Sequence, residues 1–306
     1  MNRTIDPDIY GADLRVSCVA DFLELEAFTS GTSRTEADLA DYIGDFDLQR
    51  LLEPRYKGGE LDEYDRPGES QERSRERASA VFTLLEQRES ILGERYPFEV
   101  SGGRRLRRIN DADVYLWYLF VSLSHALDVP GVPVPSTEFE KIVAVGLSEA
   151  GLPSLTVGTS TGAGNFQAKV NAMTAYFAGL VATVDDVVIS RHQNDGAIDS
   201  FGMFECGSDK RHGQWAFIGQ STVGKSESWL KKIYEPNSKF WSSVFGQRLV
   251  PIPFFATPHH IQDDYLISLS KHDRCMLDRI RLVNWTQVAP ASFAGYEAIM
   301  SGVVLE

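Results

Sequence analysis

The 306-residue sequence predicts an α/β (α+β) protein whose first part is mainly helical and whose second part contains a β-sheet. Apolar residues recur at helical spacing through the first 130 residues. Three prolines within residues 130–135 then exclude a continuing helix. Beyond them, helical stripes alternate with short apolar runs bounded by glycine and aspartate, which are typical of strands. We therefore predict a helical domain over residues 1–130 and a sheet-containing domain over residues 131–306.

The first part contains three amphipathic helical patterns. The first covers residues 14–28, the second begins at the N-cap candidate Thr35, and the third runs from near Ala78 to a stop at Gly93. Between the second and third patterns, residues 53–71 are rich in Gly, Pro, Glu and Arg, which predicts a mobile loop.

The densest basic cluster lies near the end of this part and comprises Arg104, Arg105, Arg107 and Arg108. Two interpretations remain open for it. The cluster is a solvated face or a helix-end charge balance, or it is an edge that contacts phosphates.

The second part opens with a helix that starts at Ser136 and carries Glu140 at the border of its apolar stripe. A second helical stripe covers residues 166–180, and residues 187–189 predict a strand. Residues 200–206 and 215–218 are apolar runs separated by a polar, glycine-bounded stretch, which predicts a β-hairpin.

Two later segments complete the second part. Residues 248–255 are β-rich but contain two prolines, which indicates an edge strand. Residues 276–282 fit either a strand or a helix.

Charge and cysteine content narrow the class of function. The sequence has 30 Lys and Arg against 43 Asp and Glu, a net charge of −13, which disfavours loose adhesion to DNA. A nucleic-acid enzyme with this charge needs a local basic groove, a divalent metal or a delivering partner. Cys18, Cys206 and Cys275 are far apart, which fits a reducing compartment and excludes a disulfide or zinc framework.

The sequence has no hydrophobic targeting signal. Its N-terminus lacks a signal-peptide core, and its longest apolar run, residues 114–123, is too short for a membrane span. We therefore expect a soluble, cytoplasmic protein without a membrane partner.

Chemistry-bearing residues surround the predicted hairpin. Asp195 and Asp199 belong to the turn that enters it, Gln220 follows its second strand, and Lys225 and Lys232 come after. A carboxylate, an amide and a lysine at one end of a small sheet is the arrangement that a metal-dependent phosphodiesterase needs.

The same segments carry a resemblance to a known family. They are Phe139-Glu140, the turn DGAID at residues 195–199, the run GQSTVG at residues 219–224, and Trp229-Leu230-Lys231-Lys232. In this order they resemble the PD-(D/E)xK (restriction endonuclease-like) nuclease superfamily, in particular its bacterial anti-phage defence members. The resemblance covers residues 136–285.

This resemblance implies a central mixed β-sheet flanked by helices, with a Mg²⁺ or Mn²⁺ ion as cofactor. Asp199 would be the main metal ligand, Gln220 would replace the second acid, and Glu140 would complete the metal shell. Thr222 occupies the position where the family has its lysine, so Lys225 or Lys232 would supply that group.

The activity that the resemblance implies is hydrolysis of DNA phosphodiester bonds, as the effector of a phage or plasmid defence system. Together with the acidic net charge, it leads us to expect a protein partner or homo-oligomer for activation, with residues 1–130 as the interaction surface.

Two other interpretations stay open. Residues 219–226 spell GQSTVGKS, a match to the phosphate-binding loop pattern, in which Lys225 and Ser226 would serve a P-loop NTPase. Alternatively, the displaced lysine and the acidic charge indicate a non-catalytic module that binds nucleic acid or protein. The histidines follow no metal-ligand spacing.

Overall fold

A computed structural model describes residues 2–3, 6–31, 34–45, 67–102, 104–158, 166–183, 196–204, 214–246 and 248–305. The helices are α1 Arg15–Ser30, α2 Glu36–Asp45, α3 Pro67–Leu92, α4 Asp113–Ala126, α5 Pro135–Glu149, α6 Phe166–Tyr176, α7 Trp229–Tyr234, α8 Ser238–Val244, α9 Asp263–Ser270, α10 Arg279–Trp285 and α11 Phe293–Met300. The strands are β1 Asn2–Arg3, β2 Phe98–Ser101, β3 Arg105–Arg108, β4 Ser154–Thr156, β5 Ser200–Phe204, β6 Trp215–Ser221, β7 Ile252–Ala256, β8 Cys275–Leu277 and β9 Val304–Leu305.

The main sheet is mixed, as predicted, and has the strand order β4-β5-β6-β7-β8. Strands β4, β5 and β6 are antiparallel neighbours, whereas β6, β7 and β8 run parallel. The predicted hairpin is confirmed in β5 and β6, although β6 extends to Ser221 rather than ending at residue 218. Two small pairs, β2 with β3 and β1 with β9, lie outside this sheet.

Hydrophobic clusters cover both faces of the sheet because successive side chains of a strand point to opposite sides. On β6, Ala216 and Ile218 join a cluster with α6 and α8, while Phe217 packs on a larger cluster that includes α1, α3, α4 and α5. This larger cluster draws residues from both sides of position 130. The domain boundary at residue 130 stays a prediction.

Local signals identified several helix ends correctly. The Thr35 hydroxyl accepts a hydrogen bond from the Asp38 amide, and the Asp38 carboxylate accepts one from the Thr35 amide. These two reciprocal bonds cap the N-terminus of α2. Helix α3 ends at Leu92, and Gly93 follows with a left-handed φ of 52°. Among the described residues, no helix is long and apolar enough to cross a membrane.

The predicted edge strand at residues 248–255 is wrong, because β7 lies inside the sheet between β6 and β8. Pro253 is tolerated there because β8 pairs only with the last three residues of β7. Proline has no amide hydrogen to donate, but β8 does not pair with Pro253, so no hydrogen bond between the two strands is lost.

Three other segments differ from expectation or cannot be compared. Residues 67–71 of the predicted loop belong to α3, whereas residues 53–66 lie outside the described residues, as do the predicted strand at 187–189 and the hairpin tip at 205–213. Residues 276–282 contain both predicted structures, because β8 ends at Leu277 and Asp278 caps α10 by accepting from the Arg281 amide.

The arginine cluster belongs to a β-hairpin rather than to a helix end. Arg104 pairs with Glu36 and Glu86, Arg107 with Glu99, and Arg108 with Asp111. Most of its positive charge is therefore already balanced by carboxylates.

A buried ionic network links helices from both parts of the chain. Asp21 and Glu24 of α1 face Arg88 of α3 and Arg279 of α10, and none of these side chains is exposed. Burial alone would raise the pKa of Asp21, but the guanidinium groups of Arg279 and Arg88 outweigh it and lower that pKa to about 2.

Two buried histidines adjoin this network. Burial lowers the pKa of His259 to about 3 and that of His260 well below its usual value, and the nearby Arg279 acts in the same direction on both. Neutral His260 accepts a hydrogen bond from Arg88 Nε through its Nδ1 atom, at 3.1 Å.

We predict that this pair makes the fold sensitive to mild acid. Because the folded pKa values lie below the unfolded value of about 6.5, the unfolded chain binds more protons as the pH falls below that value. Between pH 7.5 and 5.5 the free energy of unfolding should fall by about 1.4 kcal/mol per histidine. Urea denaturation at both pH values measures this loss.

His260→Gln keeps an acceptor for Arg88 and should remove about half of the loss. His272→Gln, at the surface, is the control and should keep all of it. Equal losses in the wild type and both variants would contradict the prediction.

Candidate active site

The β5–β6 hairpin brings two of the predicted residues together. Its register pairs Ser200 with Gly219, so Asp199 and Gln220 are the next residues on the two strands. The Asp199 amide donates to the Gly219 carbonyl at 2.8 Å, which fixes this end of the hairpin. Both side chains line one cavity of about 370 Å³.

Asp199 is held on several sides. Its carbonyl accepts from the amides of Val157 and Gly158, immediately after β4, at 2.7 and 3.1 Å. Its Oδ2 atom accepts from the Ser221 amide at 2.8 Å. The residue is only 6% exposed. These contacts hold the carboxylate in one orientation, which is what a ligand site requires.

Gly158 allows a second carboxylate to approach. A Cβ atom at this glycine would lie 2.5 Å from Oε2 of Glu140 and 3.1 Å from Oδ1 of Asp199. Both oxygens therefore converge on the space that a side chain at position 158 would take. Glu140, from α5, also lines the cavity. Gly158 is a site residue that the sequence reasoning missed, because nothing in its local sequence marks it.

Gln220 contributes an unused acceptor. Its Oε1 atom is buried, and no described residue donates a hydrogen bond to it. A buried polar atom without a partner is costly, so an acceptor of this kind at a cavity fits a cation or a hydrogen-bond donor. In the described part of the chain, no group of three or more His, Cys, Asp and Glu side chains forms a metal-binding cluster. The set found here is two carboxylates and one amide.

The structure separates the two candidate lysines. Lys232, on α7, lines the cavity with Asp199, Gln220 and Glu140. Lys225 is exposed and is not among the residues that line it. Four of the five predicted site residues are thus brought together, and Lys225 is not one of them.

His125, at the end of α4, is a further lining residue that sequence reasoning missed. The residue is exposed to solvent, but partial desolvation lowers its pKa below the usual value; Asp128 opposes this shift, whereas the Lys232 ammonium adds to it. The imidazole is therefore neutral at pH 7 and can donate through one nitrogen and accept through the other. In the sequence it lies far from the family-like motifs, so spacing gave no signal.

Buried aromatic residues hold the surrounding segments. Trp229 of α7 donates from Nε1 to the Gly224 carbonyl at 2.9 Å and is fully buried. Trp241 of α8 donates in the same way to the Gly196 carbonyl at 3.0 Å, in the turn before Asp199. Asp195, the first acid of that turn, lies outside the described residues.

Residues 219–226 do not form an open loop around an anion. Gly219 to Ser221 belong to β6, and a Cβ atom on Gly219 would lie 1.9 Å from the ring of Phe254. The amide of Ser221 donates to Asp199, that of Thr222 to the Ala256 carbonyl, and that of Gly224 to the Thr222 hydroxyl. Phosphate-binding loops present such amides to the ligand instead.

Comparison with models of known protein families, with curated proteins and with solved structures gives no significant match. The geometry of the cavity is therefore the basis for a function.

We predict that Gly158→Ala disrupts the site without unfolding the protein. The new methyl group should displace the Glu140 carboxylate. Because the backbone of residue 158 is not left-handed, alanine causes no backbone strain, and the free energy of unfolding should change by less than about 1 kcal/mol. Mn²⁺ affinity, measured by titration calorimetry, should fall about 10- to 100-fold.

Gly102→Ala is the matched control, because a Cβ atom there has nothing within 4 Å. Unchanged Mn²⁺ affinity in Gly158→Ala, with the control equally unaffected, would argue against a shared carboxylate site.

Proposed function

We propose that the chain is a metal-dependent nuclease that hydrolyses phosphodiester bonds of DNA. The observation that carries this proposal is the convergence of Glu140, Asp199 and Gln220 in one cavity, with Lys232 on its wall. Two carboxylates, an amide oxygen and an ammonium group are the donor set of metal-assisted phosphoryl chemistry.

The residues fit a Mg²⁺ or Mn²⁺ ion. Asp199 Oδ1 and Glu140 Oε2 face the same space beside Gly158, and Gln220 Oε1 is a buried acceptor without a described donor. Such hard oxygen atoms would hold the ion, with water completing its shell. When bound, the ion would supply charge neutralisation at the phosphate and a water molecule of lowered pKa.

Other side chains of the cavity would act on the phosphate and the water. The Lys232 ammonium would neutralise a non-bridging oxygen of the scissile phosphate and stabilise the additional charge of the transition state. Neutral His125 would accept a hydrogen bond from the attacking water and hold it in line. Both roles need only the groups that line the cavity.

Two structural details favour a nuclease over the alternatives. The extended backbone of residues 219–221 and the hydrogen-bonded amides of Ser221 and Thr222 disfavour a P-loop NTPase. The presence of Thr222 where the family has its lysine favoured a non-catalytic binding module. Lys232 of α7 lines the cavity, and this supports a catalytic role because a cation is available there.

The wider biology stays a prediction. A role as the effector of a phage or plasmid defence system, and activation by a protein partner or by self-assembly, follow from the family resemblance and the net charge of −13.

We predict Mg²⁺- or Mn²⁺-dependent cleavage of plasmid DNA that depends on Asp199 and Lys232. Asp199→Ala removes a carboxylate beside Gly158, and Lys232→Met removes the cavity cation while keeping a similar length. Each should lower the cleavage rate by a factor of about 100 to 1,000. Gel electrophoresis of nicked and linear products measures the rate.

Lys239→Met is the matched control, since it removes an exposed lysine of α8 that does not line the cavity, and should keep most of the activity. ATP hydrolysis, assayed in parallel, should be absent. ATP turnover lost in Lys225→Met but retained in Asp199→Ala would assign residues 219–226 to a phosphate-binding loop and refute the nuclease.

A further inference from the structure

The described basic residues differ in whether their charge is balanced. On the β2–β3 hairpin, Arg104, Arg107 and Arg108 pair with carboxylates at 2.9 Å or less. By contrast, Lys225 and Lys231 form no ion pair with any described carboxylate, and both are exposed. Lys225 and Lys231 lie between the cavity residues Gly224 and Lys232, so positive charge without a described partner lies next to the candidate site. Arg105 of the hairpin is likewise exposed and forms no ion pair with a described carboxylate.

Helix α7 fixes the direction in which this charge faces. Trp229 and Ile233 are fully buried on one side of the helix, and Trp229 stacks on His259 and Tyr265. The outer side of the helix therefore presents Lys231 and Tyr234 to solvent.

The exposed face continues onto the segment before β8. Arg274 Nε donates to the Ile233 carbonyl at 3.1 Å, and its guanidinium lies 5.8 Å from the centre of the Tyr234 ring. The His272 ring packs edge-on against Tyr234 at 5.3 Å, and Lys271 beside it is exposed. We name Lys225, Lys231, Tyr234, Lys271 and Arg274 the α7 surface.

Nearby acids cancel only part of this charge. Glu235 follows Tyr234 and Asp273 precedes Arg274, so the four cations of the α7 surface exceed these two carboxylates by two charges. Glu227, between Lys225 and Lys231, accepts a hydrogen bond from the Ala12 amide at 3.4 Å. Its other carboxylate oxygen would lie 2.6 Å from a Cβ atom on Gly11. Glu227 therefore faces the N-terminal segment and not the α7 surface.

We infer that the α7 surface binds the phosphate backbone of DNA next to the phosphate that enters the cavity. This inference rests on the proposed function. Lys232 lies on the same short helix and faces the cavity, so a strand that leaves the cavity past Lys232 meets Lys231 next. Unpaired lysines bind phosphates without first breaking an ion pair, and each contact releases counterions.

The chemistry of the surface also defines the substrate. Lysine and arginine contacts to phosphates carry no information about base sequence. The cations of the α7 surface would therefore hold DNA irrespective of its sequence. A chain with a net charge of −13 needs such a local basic tract to hold a polyanion.

The test measures DNA binding separately from cleavage. Binding of a short fluorescent duplex to the full chain carrying Asp199→Ala is followed by anisotropy between about 50 and 200 mM salt. Adding Lys231→Glu should weaken binding roughly 10-fold and reduce the salt slope by about 1, equally for A·T-rich and G·C-rich duplexes. Lys231→Arg should restore wild-type affinity.

Arg105→Glu is the control, because it makes the same charge change at an exposed arginine of the β2–β3 hairpin. If Lys231→Glu and Arg105→Glu weaken DNA binding equally, the proposed role of the α7 surface is refuted. A strong dependence of binding on base sequence would refute it as well. With Asp199 intact, Lys231→Glu should raise KM and leave kcat unchanged.

The two proposals can fail separately. DNA binding that depends on Lys231 in a protein that never cuts DNA would refute nuclease activity and support DNA binding by the α7 surface. Cleavage that is indifferent to Lys231→Glu would support the nuclease and refute the surface. Absence of DNA binding by the intact chain refutes both.

Discussion

The buried ionic network is the constraint on which the rest of the structure depends. Four charged side chains, Asp21, Glu24, Arg88 and Arg279, are taken fully out of water. The desolvation cost is several kcal/mol per ion, so the fold is stable only when every charge meets its partner. Because the partners come from α1, α3 and α10, satisfying them fixes these three helices relative to one another.

This network also reaches the candidate site. Arg279 Nε donates to the Pro258 carbonyl at 2.7 Å, and its amide donates to the His259 carbonyl at 3.1 Å. His259 in turn donates from Nε2 to the Val223 carbonyl at 3.2 Å. Val223 lies in the turn that follows Gln220 and lines the cavity. Hydrogen bonds therefore connect a lining residue of the cavity to the buried ionic network.

Breaking this network is costly. Removing one partner of a buried pair leaves the other charge uncompensated, at a cost of about 3–5 kcal/mol. A rigid support of this kind suits a candidate site whose side chains come from distant elements. Glu140 lies on α5, Asp199 precedes β5, and Gln220 lies in β6. Only tertiary structure sets the distances among them.

Local signals explain how much of this could be predicted from the sequence. Helical periodicity, the Thr35 cap and the glycine after Leu92 depend on neighbouring residues, and these features were predicted correctly. The hairpin was also predicted, and its register then makes Asp199 and Gln220 neighbours. The order of the parallel strands was not predictable, because it depends on which side β7 joins the sheet. Pro253 consequently indicated an edge that does not exist.

The missed site residues were missed for a related reason. Gly158 matters because two carboxylates from other elements converge on it, and His125 matters because α4 ends beside Lys232. Neither residue has a sequence neighbour that would reveal this. The choice between Lys225 and Lys232 likewise depended on the direction of α7, which is set by the burial of Trp229.

The position of Thr222 explains why, under the proposed function, the lysine comes from α7. The Thr222 amide donates to the Ala256 carbonyl, and its hydroxyl accepts from the Gly224 amide at 3.1 Å. The residue is 4% exposed, and its side chain closes the turn that ends β6. Thr222 lines the cavity, but a lysine in its place would lose that capping bond. The turn therefore favours threonine at this position, and α7, bonded to the same turn through Trp229, brings Lys232 to the cavity.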